Sequence, residues 1–486
     1  MIMSQERAFL KAQQQLKAME AFVEHAARDD QRIDQVEREL FSRLLAVGLA
    51  LLEAFVAAQG DGDAGPALET PDGRTVRRLT RKHVRRYLSI FGELLVCRWV
   101  YAEREKQPLE RVPLDERLGL PAGEFSYVLE DWLQRLCVKE SFREATSSLR
   151  TLLGLSPSQR AAEQMNQRTA EHAEAFGLQQ AAPPLDEEAE LLVATADGKG
   201  VPMRRPLEER VRRGPRRGKG EKANKKQMAY VGAVYTIDRF RRTADEVIDE
   251  IARKERATDR PAPQHKQAWA EMTRVAQGES CSGRQRLFVE MAIAAHQRDP
   301  MRQKTLVCLM DGEAALWDVQ REWLPRAVCI LDLFHVLERL WQAAHVFHRE
   351  GSCQAEKFVT HHLRLLLEGK VGYVIGHLKR LRDEYKLCGS RRRTVSAAIG
   401  YYENNRRHMC YNEYLAAGYP IGSGVAEGAC RHVVKDRLEQ TGMRWTVTGA
   451  QAMLHLRAIY LNGDWNDFVN YRIDTEQAAL YRRSAA

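Results

Sequence analysis

The sequence predicts an α/β core on a mixed sheet, interrupted by a long helical insertion and preceded by a mainly α-helical N-terminal region. Three observations carry this. Up to about residue 180, apolar residues recur mostly at helical spacing. At Leu191 the period changes: LLVATAD (191–197), MAYVGAVYTID (228–238), TLVCLMD (305–311) and AVCILDLFH (327–335) are short apolar runs, read as strands, with helical sequence between the second and the third. From Val336 to about Ala417 the pattern is helical again, as in VLERLWQAAHVFH and KFVTHHLRLLLEGK.

The elements follow in order. Residues 4–28 and 31–58 read as two amphipathic helices, with Phe9, Leu16, Met19 and Val23 recurring on one face. The stretch LLAVGLALLEAFVAA (44–58) is shorter than the ~20 residues a membrane span needs and carries Glu53. It reads as a buried or self-associating helix. MIMSQERAFLKAQQQ lacks the apolar core of a signal peptide, so export is not expected. AAQGDGDAGPALETPDG (57–73) reads as a linker or long loop, and YLSIFGELLVCRWVYAE (87–103) as a hairpin around Gly92. In residues 141–172 a helix ends at Leu153-Gly154, and Ser156 is placed to cap a second helix opened by Pro157. That is the spacing of a helix-turn-helix, which would offer Gln159, Arg160, Gln164 and Gln167 to DNA; a plain helix pair with a glycine turn fits the same residues. AAPPLDEEAE (181–190) is a natural boundary, and GYPIGSGVAEGACRHVVKDRLEQTG (418–442) turns through glycines into a helix holding Glu427.

At 486 residues the chain is long enough for two to four domains, and 44% hydrophobic with 29% charged residues is the composition of a soluble globular protein. The net charge is +9, and residues 204–226 hold eleven Lys/Arg against three Glu. A Gly/Pro-punctuated basic run is either a solvated loop or the electrostatic footprint of phosphate binding, with Arg212, Arg213, Arg216 and Arg217 as its centre. The nine cysteines are scattered singly with no C-x-x-C pair, the pattern of small core residues in a reducing compartment. His345/His348 and His361/His362 have metal-ligand spacing but no thiols nearby, so zinc is not expected.

Two of the runs end in Asp-Gly, at Asp197 and Asp311, and a third ends in Asp332. Asp-Gly is first a turn dipeptide. In a mixed sheet, however, the strands ending in Asp197 and Asp311 can lie side by side, so that their carboxylates face each other. With a carboxylate from a following helix such as Glu427, they would form a set of hard oxygen donors for Mg²⁺.

In this order, TADGKGVPM, LMDGEAALW, ILDLFHVLERLW and IGSGVAEGACRHVVKDRLEQTGMRW resemble the ISKra-type insertion-sequence transposases of bacteria. These are DDE transposases with an RNase H-like catalytic core. The likeness extends to FGELLVCRWVY and PLDERLGLP, and so covers about residues 85–465. Ahead of the likeness, residues 1–85 read from their own pattern as an N-terminal helical region for self-association, and within it 86–188 as a hairpin-plus-helix DNA-binding region with the helix-turn-helix spacing. The catalytic core would follow (189–337), then an all-α insertion (338–416) and the Glu-bearing end of the core (417–486). The likeness implies Asp197, Asp311 and Glu427 as catalytic metal ligands for two Mg²⁺ ions, with Mn²⁺ able to substitute. Those ions would support both end cleavage and strand transfer with no covalent protein–DNA intermediate.

The Asp332-x-x-His335 string resembles one found near the active site in such families; equally, Asp332 would cap the next helix and His335 be a satisfied polar group. Lys199, Arg431 and Lys435 would face the scissile DNA, the alternative for Arg431 being a helix ion pair with Glu427. The implied partners are transposon ends and target DNA, with at least a dimer on paired ends, in the cytoplasm at the nucleoid. The competing readings are an RNase H-like nuclease that does not integrate and a non-enzymatic helix-turn-helix regulator.

Overall fold

The computed structural model describes residues 2–70, 73–204, 226–253, 259–276, 278–440 and 442–481. They form two compact units, one comprising residues 1–172 with 465–486 and the other residues 173–464.

The first unit opens with two helices, α1 (Ile2–Arg28) and α2 (Ile33–Ala58). They are tied together by Arg43, which donates to the Ala18 carbonyl and lies over the Phe22 ring, and by a Lys11–Glu53 ion pair. At 26 residues α2 is longer than the apolar stretch within it, and by length and composition it could cross a membrane. One of its faces is committed to protein: Leu49, Leu52 and Val56 pack on Leu94, Val96 and Leu114.

Part of the expected linker is instead sheet. β1 (Ala67–Glu69), β2 (Thr75–Arg78) and the later β5 (Tyr101–Ala102) pair antiparallel. The expected hairpin is β3 (His83–Ser89) with β4 (Gly92–Arg98), turning at Gly92 with φ +137°. Helices Tyr127–Cys137, Phe142–Leu153 and Gln159–Ala170 share a core of Leu129, Leu133, Leu149 and Met165. The last of them is capped by Ser158, whose hydroxyl accepts from the Ala161 N–H at 3.0 Å, and not by Ser156. Pro157 therefore precedes the cap rather than opening the helix. Gln159, Arg160 and Gln164 are exposed, and Gln167 is half-buried.

The C-terminal helix Trp465–Tyr481 belongs to this first unit, although the sequence groups it with the end of the core. Polar bonds from buried side chains fix it there. The Trp465 Nε1 donates to Asp131 at 2.7 Å, and Arg472 bonds Glu130 and, at 3.1 Å, the Thr169 hydroxyl. Glu476 accepts from Arg472 at 2.7 Å and pairs with His172 at 3.4 Å. Burial raises the Glu476 carboxyl, but His172 and Arg472 outweigh it and hold the group at about 2. Its folded pKa thus lies below its unfolded value of about 4.3. The stabilisation is complete above that value and is lost as pH falls toward 2. Thermal unfolding should therefore show Glu476→Gln less stable than wild type at pH 6, with the two converging near pH 2; a pH-independent gap would mean the pair carries no linkage.

The second unit is built on a five-stranded sheet: β6 (Leu191–Pro202), β7 (Lys226–Ile237), β8 (Gln264–Met272), β11 (Thr305–Met310) and β12 (Val328–Leu331). The strand order is β12-β11-β6-β7-β8, and the short hairpin β9 (Arg274–Ala276) with β10 (Glu279–Cys281) lies outside it. β6, β11 and β12 run parallel, whereas β7 and β8 run antiparallel to their neighbours. The sheet is thus mixed, as expected.

Two strand expectations are corrected. β6 does not stop at Asp197 but continues to Pro202, because β7 keeps pairing with it from Ile237 to Lys226. Residues 264–272, expected to be helical, form the edge strand β8. Distant amides satisfy the outer side of this edge: Asn462 bonds both Ala268 N and O, and Gln451 bonds Met272 N and Ala270 O.

The segment expected as an insertion is helical, with helices Leu333–Phe347, Cys353–Leu367, Val371–Glu384, Gly389–Asn405 and Tyr411–Ala416. Its tyrosines anchor it to the end of the parallel strands. Tyr401 donates to the Asp311 carbonyl at 2.6 Å, Tyr411 to Leu331 at 2.7 Å and Tyr414 to Cys329 at 3.2 Å.

Candidate metal centre

The parallel register sets the site. β6 and β11 pair through Ala196↔Met310, so Asp197 and Asp311 come next at matching positions on neighbouring strands. Their backbones then diverge. Asp197 stays inside the long β6–β7 hairpin, opposite Val231. Asp311 leaves β11 into a tight turn, where Gly312 takes φ +91° and a Cβ would meet Leu331 Cδ1 at 2.8 Å and Asn405 at 3.1 Å. The Asp311 carboxylate accepts the Glu313 N–H at 2.9 Å. It therefore plays the ordinary turn-forming part as well as any other.

The third member is His335. Donor atoms of Asp197, Asp311 and His335 all lie within 4.8 Å of one another. The imidazole is placed by its helix, which begins at Leu333 with Asp332 as N-cap, Oδ1 accepting the Phe334 N–H at 2.7 Å. The other oxygen of Asp332 accepts from the Ser423 N–H at 3.2 Å and from the Ser423 hydroxyl. Asp332 is fully buried. It thus joins the end of β12 to the turn that leads into the Glu427 helix. His335 Nδ1 sits 3.5 Å from Asp332 Oδ2, but it is buried without a well-formed hydrogen bond.

The charge balance at this point is acidic. Burial lifts the Asp311 carboxyl above its ordinary value; the Glu313 N–H opposes this, and the neighbouring Asp197 adds to it. Asp332 outweighs burial at His335 and pushes the imidazole up to about 9. Two half-buried carboxylates whose donor atoms converge fit a divalent cation, with the His335 imidazole a further donor once it gives up its proton.

Glu427 lies outside this tight trio. It stands on helix Gly424–Ala429 with its side chain open to solvent. Partial burial still raises its carboxyl; Asp332 and Asp197 add to the rise and His335 counters it, so it borders the same cluster. The residues after it do not follow in register. Cys430–Lys435 form a π-helical turn, whose wider pitch breaks the i, i+4, i+8 alignment expected for Glu427, Arg431 and Lys435. Arg431 is exposed and lies 3.8 Å from Asp436 rather than pairing with Glu427. Lys435 is also exposed, and Lys199 is half-buried on β6. The basic-loop residues Arg212, Arg213, Arg216 and Arg217 lie outside the described residues.

Two side chains at the site were not singled out from the sequence. Burial and the neighbouring Asp311 raise the Glu313 carboxyl, which Arg284 partly compensates at 3.2 Å. Its position directly after Asp-Gly was the available signal. Cys430 is buried near Asp197; burial and that carboxylate both drive its pKa up, so it stays a thiol. In sequence it looks like any core cysteine.

A second acidic trio, Glu174, Glu271 and His455, also brings its donors within 4.8 Å. It is already neutralised: Arg274 pairs with Glu271 and, at 2.7 Å, with Glu174, and His455 bonds Glu271 at 2.7 Å. No protein-family model matches the chain, and no curated protein matches it.

Proposed function

We propose that this protein is a DDE-type DNA transposase of the ISKra kind with an RNase H-like core, acting on phosphodiester bonds with Mg²⁺. The observation that carries this is the convergence of Asp197 and Asp311, at neighbouring positions just past the last parallel-paired residues of β6 and β11, with His335 from the helix after β12. The strands concerned, β6 and β11, are the first and fourth of the sheet in chain order and lie side by side, as that reading expects.

Asp197 and Asp311 would hold the cation, with Glu427 on the adjoining helix as the third carboxylate and His335 as a further donor. Mg²⁺ bound there supplies activation of a water or a DNA 3′-hydroxyl and charge neutralisation at the leaving oxygen. The chain's own contribution is placement. The β6–β7 ladder fixes Asp197, and the Gly312 turn fixes Asp311 under the Tyr401 hydroxyl. The Asp332–Ser423 bond holds the start of the Glu427 helix against the end of β12. Lys199, Arg431 and Lys435 would meet the DNA backbone, and the basic loop between β6 and β7 would add sequence-independent affinity.

The test is incubation of the full chain with labelled DNA carrying the element's own ends and a supercoiled target plasmid, in Mg²⁺ or EDTA. Cleavage at the ends with joined product, in Mg²⁺ alone, is expected. Cleavage without joining would favour the nuclease reading, and end binding without cleavage the regulator.

A further inference from the structure

The outer face of α2 carries large apolar side chains that the described residues of its own unit leave about half exposed. Phe41, Leu44, Leu51 and Phe55 are 47, 54, 46 and 52% exposed. With Gly48 they are spaced 3-4-3-4, the seam of a helix that packs against another helix. In residue type the stripe also reads the same in both directions, Phe41, Leu44, Gly48, Leu51, Phe55, with Leu44 and Leu51 four and three residues from Gly48. At its centre Gly48 has no side chain because the space is taken by Phe91 from the β3–β4 turn, whose ring would lie 2.5 Å from a Cβ. Phe91 is itself exposed.

A palindromic stripe suits one kind of partner above others. Under a two-fold axis through Gly48, Phe41 of one copy meets Phe55 of the other, Leu44 meets Leu51, and the two Phe91 rings meet at the axis. Every contact then occurs twice, as an isologous interface requires. α1 extends the same surface with Phe9, Leu16 and Val23, seven residues apart and each nearly half exposed. At about 100° per residue this line and the α2 stripe turn to the same side of the antiparallel pair, so two copies would complete a four-helix bundle.

The area is sufficient. Half-exposed aromatic and aliphatic side chains of this size each still show on the order of 80–100 Å². The eight named here offer about 700 Å² per chain, or about 1,400 Å² for a pair, within the range of specific interfaces. A membrane is a poorer fit: an adjoining face of α2 is packed on Leu94 and Val96, and α2 also carries the Lys11–Glu53 ion pair.

We propose that α1, α2 and Phe91 form a two-fold homodimer interface centred on Gly48, with the α2 helices antiparallel. This is independent of the transposase reading. The test uses the full chain, Phe41→Lys, Phe55→Glu, and an equimolar mixture of the two, followed by sedimentation equilibrium over a concentration series. Wild type is expected to be a dimer, and each variant alone to dissociate at roughly 10²-fold higher concentration, since an aromatic anchor is lost at both symmetry-related places. The mixture should regain the dimer, because the ammonium introduced in one chain then faces the carboxylate introduced in the other. Helical circular dichroism equal to wild type in both variants excludes misfolding. A wild-type monomer throughout would overturn the proposal, as would a mixture no tighter than its components. So would partition of wild type, but not Phe41→Lys, into phosphatidylcholine vesicles without change of mass.

Discussion

Asp311→Asn is expected to lower Mg²⁺-dependent end cleavage by about 10³-fold or more while leaving thermal stability at or slightly above wild type. A bound divalent ion contributes several kcal/mol of charge stabilisation to phosphoryl chemistry, and each ~1.4 kcal/mol is a factor of ten in rate. The substitution separates the two parts that Asp311 plays. An asparagine oxygen still accepts the Glu313 N–H, so the turn at Gly312 survives. What disappears is the charge, which burial and Asp197 already disfavour. Asp197→Asn should behave alike, because its strand pairing runs through backbone alone. Cleavage by Asp311→Asn at the wild-type rate would make the carboxylate a turn former only, and the metal reading would fall with it.

The two Asp-Gly pairs show where local sequence stops being informative. At Asp311 the dipeptide does what it usually does, and Gly312 needs its positive φ. At Asp197 the same dipeptide lies within a strand, and Gly198 has no such φ, because a partner strand continues beside it. Only the presence of β7 alongside distinguishes the two cases. β8 escaped notice for a related reason. QHKQAWAEM has little apolar run of its own, and its outer edge is satisfied by Gln451 and Asn462 from far along the chain. By contrast β6, β7, β11 and β12 announce themselves through apolar runs, since their neighbours bury them. The site was legible to the same degree. The aspartates that close the apolar runs and the Asp-x-x-His string could be read from the chain. The π-helical turn after Glu427 could not, because the sequence shows no break in helical pattern there.

Asp332→Ala should cost about 3–5 kcal/mol, most of it from structure rather than chemistry. The carboxylate is fully buried and holds Phe334 N, both Ser423 donors and the charge of His335. Losing a cap costs about 1 kcal/mol, and losing charge-assisted hydrogen bonds costs roughly 1.5–3 kcal/mol. Asp332→Asn separates the remainder, since an amide can still cap the helix and donate to the Ser423 hydroxyl, losing only the Ser423 N–H bond, but cannot attract a proton to His335. In wild type the Asp332 carboxylate holds that imidazole at about 9, above its unfolded value of about 6.5. The pair's contribution is complete below about pH 6.5 and is lost as pH rises through 9. Wild-type stability should therefore decline between those values, and that of Asp332→Asn should stay flat, with the His335 resonance in NMR titrating near 6.5. Cation affinity should respond in the opposite sense: in wild type it should rise toward pH 9 as His335 gives up its proton to serve as a donor, and in Asp332→Asn that rise should come earlier. A wild-type His335 that titrates near 6.5 would remove the charge pair from the site and leave Asp332 a helix cap alone.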